Sequence, residues 1–297
     1  MAITARSPEV LRYTAFSGDP DGGNPAGVVL DAAGLGDGDM LAIAAGLGYS
    51  ETAFLTPPPE ALGGPETARQ GRAFGIRYFS PKAEVPFCGH ATVATAIALG
   101  ERYGPGDLLF ATPVGTVPVT VTAQACGALE ATLTSVEPHV EAVPGADVEE
   151  ALAALGWTAA ELDPALAPRI AFAGARHLVL AAATRERLAD LSYDFDRLEA
   201  LMRRLDLTTV QLAWRASETV FHVRDPFPVG GVVEDPATGA AAAAFGAYAR
   251  ELGLVPRTAV LTLHQGEDMG RPGVLTVELR AGETRVRVSG RGTRIPA

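Results

Sequence analysis

Two stretches constrain this chain more than anything else in it: "PFCGHATVATAIALG", Pro86 to Gly100, and "VEDPATGAAAAAFGAY", Val233 to Tyr248. Each places chemically capable side chains and a glycine directly before a run of Ala, Val, Ile and aromatic residues that carries no charge. A helix that is apolar all round has to be enclosed by other elements, so each run predicts a helix buried on every side. Cys88 and Asp235 mark the mouths of these two helices and stand about half a chain apart. The flanking elements repeat in the same order. "GIRYFSP" and "SETVFHVRDPFP" both read as strands running into proline, "KAEVPFCGH" and "GGVVEDPATG" as loops, and "ATVATAIALGERYG" and "AAAAAFGAYARELG" as helices. With 297 residues the chain has room for two such halves.

The remaining segments fit around that repeat. "LRYTAFS", "GVVLDA" and "ETAFLTPP" read as strands, and "DMLAIAAGLGYS" as a helix. The loop "GDPDGGNPA" joins the first two strands with residues that favour turns. "LLFATPVGTVPVTVTA" predicts two strands about a turn and closes the first half. "GALEATLTSVEPHV" opens the second as a strand, followed by the helices "DVEEALAALGW" and "DFDRLEALMRRLD" and the strand "HLVLAAA" between them. "GVLTVELRAGETRVRVSGRG" predicts a terminal hairpin by its alternation and its Gly-containing turn. The fold class expected is therefore α+β, with halves at 1–119, joined by a last strand at about 284–297, and 120–283.

Charge and composition exclude several functions. The formal net charge is −11 and no Lys/Arg cluster interleaves with aromatics, so a nucleic-acid partner is not expected. No segment reaches the roughly 18 unbroken apolar residues of a membrane span, and "MAITARSPEV" has no secretion-signal pattern, so the expected location is the cytoplasm. The two cysteines, Cys88 and Cys126, form no CxxC, and the five histidines show no helical ligand spacing, so no metal is expected. Helix amino termini carry N–H groups outside the intrahelical ladder and roughly half a positive charge. Two such mouths facing one cleft would hold a small carboxylate, which reconciles an acidic protein with an acidic ligand.

Taken singly, each candidate also has a structural reading. Asp235 followed by Pro236 is an ordinary helix start, with Asp as N-cap and Pro at the first helical position. Cys88 fits a small buried hydrophobe as well as a thiolate activated by a helix mouth. His90 fits a capping ring, and the acid of "SET" fits an exposed Glu51 beside a capping Ser50.

In combination, "FSGDPDGGNPAGVVL", "LGYSETAFL", "IRYFSPKAEVPFCGHATVATA", "EDPATGAAAAAFGAY" and "HQGEDMGRPGVLTVEL" resemble the PhzF-like family of phenazine biosynthesis, which shares its fold with diaminopimelate epimerase. The resemblance runs along the whole chain in order. It implies two pseudo-symmetric domains, each a barrel-like mixed β-sheet around a central α-helix, with a cofactor-free site and a homodimer. It places the catalytic carboxylate on Glu51, with His90 and Asp235 as its partners. Asn24, Cys88, Gly89, Thr238, Gly239, Ala240, Gln265, Gly266 and Arg271 become substrate-binding candidates. The implied chemistry is a proton shift on a small amino- or hydroxy-carboxylic acid, as in the isomerisation of dihydro-3-hydroxyanthranilate. The family's usual serine after "EDPATG" is Ala240 here, which removes one hydroxyl donor. A Cys88-dependent hydrolase or transferase, and a non-catalytic binding protein on the same fold, are the alternatives.

Overall fold

The computed structural model describes residues 8–62, 72–113 and 115–296. Residues 1–7 of the stretch inspected for a secretion signal lie outside the described residues. By its internal contacts the chain divides into two compact units: Met1–Asp21, Pro25–Leu133 and Gly290–Ala297 form the first, and Gly22–Asn24 with Thr134–Ser289 the second.

The strands of the first unit are β1 (Leu11–Ala15), β2 (Asn24–Val29), β3 (Glu51–Thr56), β4 (Ala73–Phe79), the two-residue β5 (Glu84–Val85), β6 (Gly106–Thr112), β7 (Gly115–Ala123) and β8 (Leu129–Thr134); its helices are α1 (Asp37–Leu47) and α2 (Gly89–Tyr103). The pairing runs β1–β2–β3–β4–β6–β7–β8 and returns to β1 through the last strand of the chain, so eight strands close into a barrel. Closure gives each of these eight strands a partner on both sides. Inside lies α2, buried without interruption from His90 to Gly100. That is the uncharged run of the sequence, and its small Ala and Thr residues suit the narrow space. At the mouth of the barrel β5 folds back on β4, with Tyr78 opposite Val85.

The second unit repeats this plan. Its strands are β9 (His139–Ala142), β10 (Arg169–Phe172), β11 (Arg176–Ala181), β12 (Thr209–Arg215), β13 (Val220–Pro226), the short β14 (Glu234–Asp235), β15 (Ala259–Gln265), β16 (Gly273–Leu279) and β17 (Arg287–Arg294). Its helices are α3 (Gly145–Leu155), α4 (Arg185–Ala189), α5 (Phe195–Arg204) and α6 (Gly239–Glu251). The strands pair in the order β9–β10–β11–β12–β13–β15–β16–β17. As in the first unit, the strand before the central helix pairs in parallel with the strand after it, β4 with β6 and β13 with β15. Helix α6 is buried from Ala241 to Ala249. Strands β11 and β12 are covered on both faces. Leu178, Leu180, Val210 and Leu212 pack with α3, α4 and α5, while the alternating residues His177, Thr209 and Gln211 are also buried.

Several sequence expectations change here. "GALEATLT" does not open the second half: β8 is the antiparallel partner of β7, Val121 opposite Ala131, and the chain passes between units at Leu133/Thr134 rather than 119/120. The portion of the last strand that groups with the first unit begins at Gly290. The motif loops each contain a two-residue strand, and β10, β12, β15 and α4 are elements that the apolar pattern did not mark out. β12 and β15 are seven residues long and β10 four. All three carry polar residues on buried or half-buried faces, which hides their alternation. Among the described residues no helix is long and apolar enough to cross a membrane.

Candidate active site

In the first unit, α1 ends at Gly48 in the left-handed conformation, φ 70°. Only Tyr49 and Ser50 separate it from β3, so Glu51 is the first residue of a strand whose neighbours are set by pairing: Ala26 lies opposite it on β2. Helix α2 starts at Gly89 with Cys88 as its N-cap and with no side chain capping it. This local geometry brings three functional groups together. The Cys88 thiol lies 3.5 Å from Glu51 Oε2 and 3.4 Å from His90 Nδ1. His90 Nε2 is 3.4 Å from Glu51 Oε2 and 3.3 Å from the Ser50 hydroxyl. Cys88 is 7% and His90 6% exposed, and the Glu51 side chain retains 16%.

Burial pushes the Glu51 carboxyl above the usual carboxylate range, while hydrogen bonds from Ser50 and Cys88 pull the other way. A carboxyl moved toward neutrality changes protonation state more readily under working conditions than an exposed glutamate does. The exposed-acid reading of Glu51 does not survive its burial, and the His90 ring lies against Cys88, Glu51 and Ser50.

The second unit organises its group around Asp235. The carboxylate accepts a hydrogen bond from Asn24 Nδ2 at Oδ1 (2.8 Å) and from the Thr238 hydroxyl at Oδ2 (2.6 Å). Asn24 also donates to the Ala237 carbonyl, 3.0 Å. Asp235 is not the N-cap of the following helix, because Pro236–Thr238 are not helical and α6 begins at Gly239 with Thr238 at the cap position. Gln265 staples that segment: Nε2 donates to the Asp235 carbonyl (2.9 Å) and Oε1 accepts from the Thr238 N–H (3.0 Å). Gly266 follows at φ 79°, where a side-chain carbon would run into the backbone oxygens of Arg271 and Pro236. Arg271 donates from Nε to the Gly23 carbonyl and from Nη2 to that of Gly22, each at 2.9 Å, so its guanidinium holds the segment carrying Asn24. Ala240, in the first turn of α6, is half-buried and offers no donor.

Glu51, Cys88, Gly89 and His90 thus group in the first unit, and Asn24, Asp235, Thr238, Gly239, Ala240, Gln265, Gly266 and Arg271 in the second. Sequence reasoning assigned Ser50 only a capping role and passed over Asp225. Asp225 lies opposite Asp235 across β13 and β14 and is wholly buried. Burial pushes its carboxyl well above the usual range, against the hydroxyl hydrogen bond from Thr209, and the nearby Asp235 and Glu234 push it further. Thr209 in turn lies 2.8 Å from Nδ1 of the buried His177, whose pKa burial lowers to about 3. The signal was present in the alternation of β13, where Asp225 continues the inward row of Phe221 and Val223. Also among the described residues, the donor atoms of Glu51, Cys88 and His90 lie within 4.8 Å of one another, a grouping with the composition of a metal site.

Comparison with known proteins agrees with this architecture. A family model described as phenazine biosynthesis-like protein matches residues 13–296. The chain is 29% identical to an uncharacterized isomerase of Bacillus subtilis, over 97% of this chain and 96% of that one. It is 32% identical to the trans-2,3-dihydro-3-hydroxyanthranilate isomerase of Pseudomonas chlororaphis, over 94% of each. Among solved structures, a predicted epimerase from Pseudomonas aeruginosa superposes with a TM-score of 0.82 at 28% identity, covering 98% of both chains. The chain belongs to the phenazine biosynthesis-like (PhzC–PhzF) family.

Proposed function

We propose that this protein is an isomerase that moves a proton between carbons of a small amino- or hydroxy-carboxylic acid, using its own carboxylate and no cofactor. The observation that carries this reading is Glu51, a largely buried carboxyl held above its usual pKa and within 3.5 Å of both a thiol and an imidazole. In the anionic form Glu51 takes a proton from a carbon acidified by a neighbouring unsaturated or carboxyl group. As the acid it returns that proton to a different carbon of the same molecule, so no group is gained or lost. Negative charge developing on the substrate is met by the backbone N–H groups at the start of α2, Gly89 among them, and by the helix dipole. His90 donates to or accepts from the substrate's polar atoms, and Ser50 orients its ring. Asp235, with both oxygens already engaged, is assigned to substrate binding along with Asn24 and Thr238. Names of relatives make dihydro-3-hydroxyanthranilate the first compound to assay, and Ala240 favours a substrate that does not need the missing hydroxyl. Action as a homodimer in the cytoplasm is part of the same reading and rests on the family resemblance.

One observation favours a second reading: Cys88 Sγ lies 3.4 Å from His90 Nδ1, within reach of a nucleophile–base pair. The two readings part in a single experiment. Turnover is run in D₂O with a substrate deuterated at the attacked carbon, on the wild type and on Glu51→Gln and Cys88→Ala. An isomerase places solvent deuterium on a product carbon, or moves the substrate's deuterium within the molecule. Glu51→Gln is expected to lose well over tenfold in rate, more than about 1.4 kcal/mol of barrier, and Cys88→Ala to stay active. Addition of water across a bond, with Cys88→Ala inert and Glu51→Gln active, would overturn the proton-shift reading in favour of the thiol.

A further inference from the structure

We infer that Tyr78 and Thr92 are positioning residues for the site: their hydroxyls form a hydrogen-bond chain that ends on the Cys88 carbonyl and, through the peptide that Cys88 shares with Gly89, strengthens the Gly89 N–H as a donor to an anion at the mouth of α2. The service to catalysis rests on the function proposed above, and the chain itself does not. Tyr78 Oη lies 2.6 Å from Thr92 Oγ1, which in turn lies 2.6 Å from the Cys88 carbonyl oxygen. A carbonyl only accepts, so Thr92 gives its one hydroxyl proton to Cys88. Tyr78 must then donate to Thr92, and the chain has a single direction. Both residues are 0% exposed, and hydrogen bonds in series in such surroundings strengthen one another by about 10–30% per bond.

A second branch reaches the same oxygen. The Thr92 N–H donates to the Cys88 carbonyl at 3.1 Å, as the first rung of α2, and the Ala91 carbonyl of that N–H's own peptide accepts from Thr95 Oγ1 at 2.7 Å. A peptide whose oxygen is held in this way draws electron density from its nitrogen, because the C–N bond has partial double-bond character, and its N–H becomes the stronger donor. The N–H concerned belongs to Gly89, the first residue of α2, which has no partner within the helix and no side-chain cap in front of it. Gly89 is half-buried, so its N–H lies at the edge of the site and not in the core. Tyr78 is itself fixed from three directions: it stands opposite Ala53 on β3 and Val85 on β5, and the Phe87 ring meets its own edge to face at 6.0 Å. Burial pushes the Tyr78 phenol above its ordinary range, so it stays protonated and donating.

The test begins with the amide NMR spectrum of the full-length protein without ligand. Tyr78→Phe and Thr92→Val should each move the Gly89 amide proton upfield, and Thr92→Ser, which keeps the hydroxyl, should return it most of the way. Melting curves check that each variant is folded. Tyr78→Phe keeps the ring and its packing, so it carries the test by itself if Thr92→Val does not fold. A Gly89 amide at its wild-type position in folded Tyr78→Phe overturns the chain. Turnover of the acid that reacts in the D₂O experiment then reads the service to the site. One donor to a developing oxyanion is worth roughly 10²–10³ in kcat, so strengthening it by about 10–30% predicts a fall in kcat of about two- to eightfold in Tyr78→Phe, with KM changed by less than about twofold. The double variant should be no slower than Thr92→Val alone, because one break already interrupts the chain. Losses that add, or that fall on KM and not on kcat, would mark two separate packing defects and overturn the positioning role. A moved amide with kcat unchanged would leave the chain standing and remove the Gly89 N–H from catalysis. No turnover by the wild type would sink the proposed function and leave the amide shift to decide the chain.

Discussion

Asp225 shows how one residue acquires a property that its identity does not announce. It is wholly buried between strands, accepts a 2.6 Å hydrogen bond from Thr209, and has Asp235 and Glu234 as neighbours, so the folded protein keeps it protonated well above the usual range. A raised folded-state pKa means that this group's contribution to stability is full below its unfolded value, near 3.8, and is lost as pH rises toward the folded value. Asp225→Asn keeps the shape and the Thr209 bond but has no proton to lose. Its stability relative to wild type should therefore grow with pH across that window, at up to about 1.4 kcal/mol per pH unit. Urea denaturation from pH 4 to pH 8 measures this, and a difference that does not change with pH would show that Asp225 is ionised in the fold. Glu51 carries the same kind of shift at the other helix mouth. In both cases the acid was legible in the chain, but its burial was not, because burial depends on strands that arrive from elsewhere.

Elements place these residues more than capping rules do. The segment between β14 and α6 reads locally as Asp-Pro opening a helix, yet the helix starts three residues later, at Gly239, because Asp235, Thr238 and Gln265 bond to one another instead. Gln265, at the end of β15, supplies both a donor and an acceptor to that segment and is 1% exposed. Gln265→Leu should leave the Thr238 N–H and the Asp235 carbonyl without these partners and cost about 1–3 kcal/mol, the usual penalty for stranding buried polar groups. Thermal melting reads the loss. Under the proposed function KM should rise more than kcat falls, since Gln265 positions binding groups and lies on a different unit from Glu51. A melting temperature unchanged from wild type would mean that the segment holds itself without the staple. Gly266 belongs to the same device: its positive φ and the crowding by Arg271 and Pro236 explain why a glycine ends this strand.

At the scale of the whole molecule, the chain's last residues complete what its first residues began. Tyr13, Thr14 and Ala15 of β1 pair with Arg294, Thr293 and Gly292 of β17, and β17 also pairs with β8, so the end of β17 is the stave that closes the first unit's barrel around α2. A chain ending at Ser289 should open that barrel. The α2 amides from Val93 to Leu99, buried in the full chain, should then exchange with deuterium at least about a hundredfold faster, equivalent to roughly 3 kcal/mol of lost protection. Protection equal to that of the full-length protein would mean that the other seven strands enclose the helix unaided. The sequence by itself determined the two buried helices and the strands beside them, because each is encoded by side-chain periodicity within its own segment, and the repeat that relates the halves, because those segments recur in the same order. Only the tertiary structure decided which distant residues meet: Glu51 with Cys88, 37 positions on, Asn24 with Asp235, 211 positions on, and the final strand with the first. The physical reason is that a strand's backbone donors and acceptors are the same at every position, so its partner is chosen by the packing of the whole unit and not by any local signal.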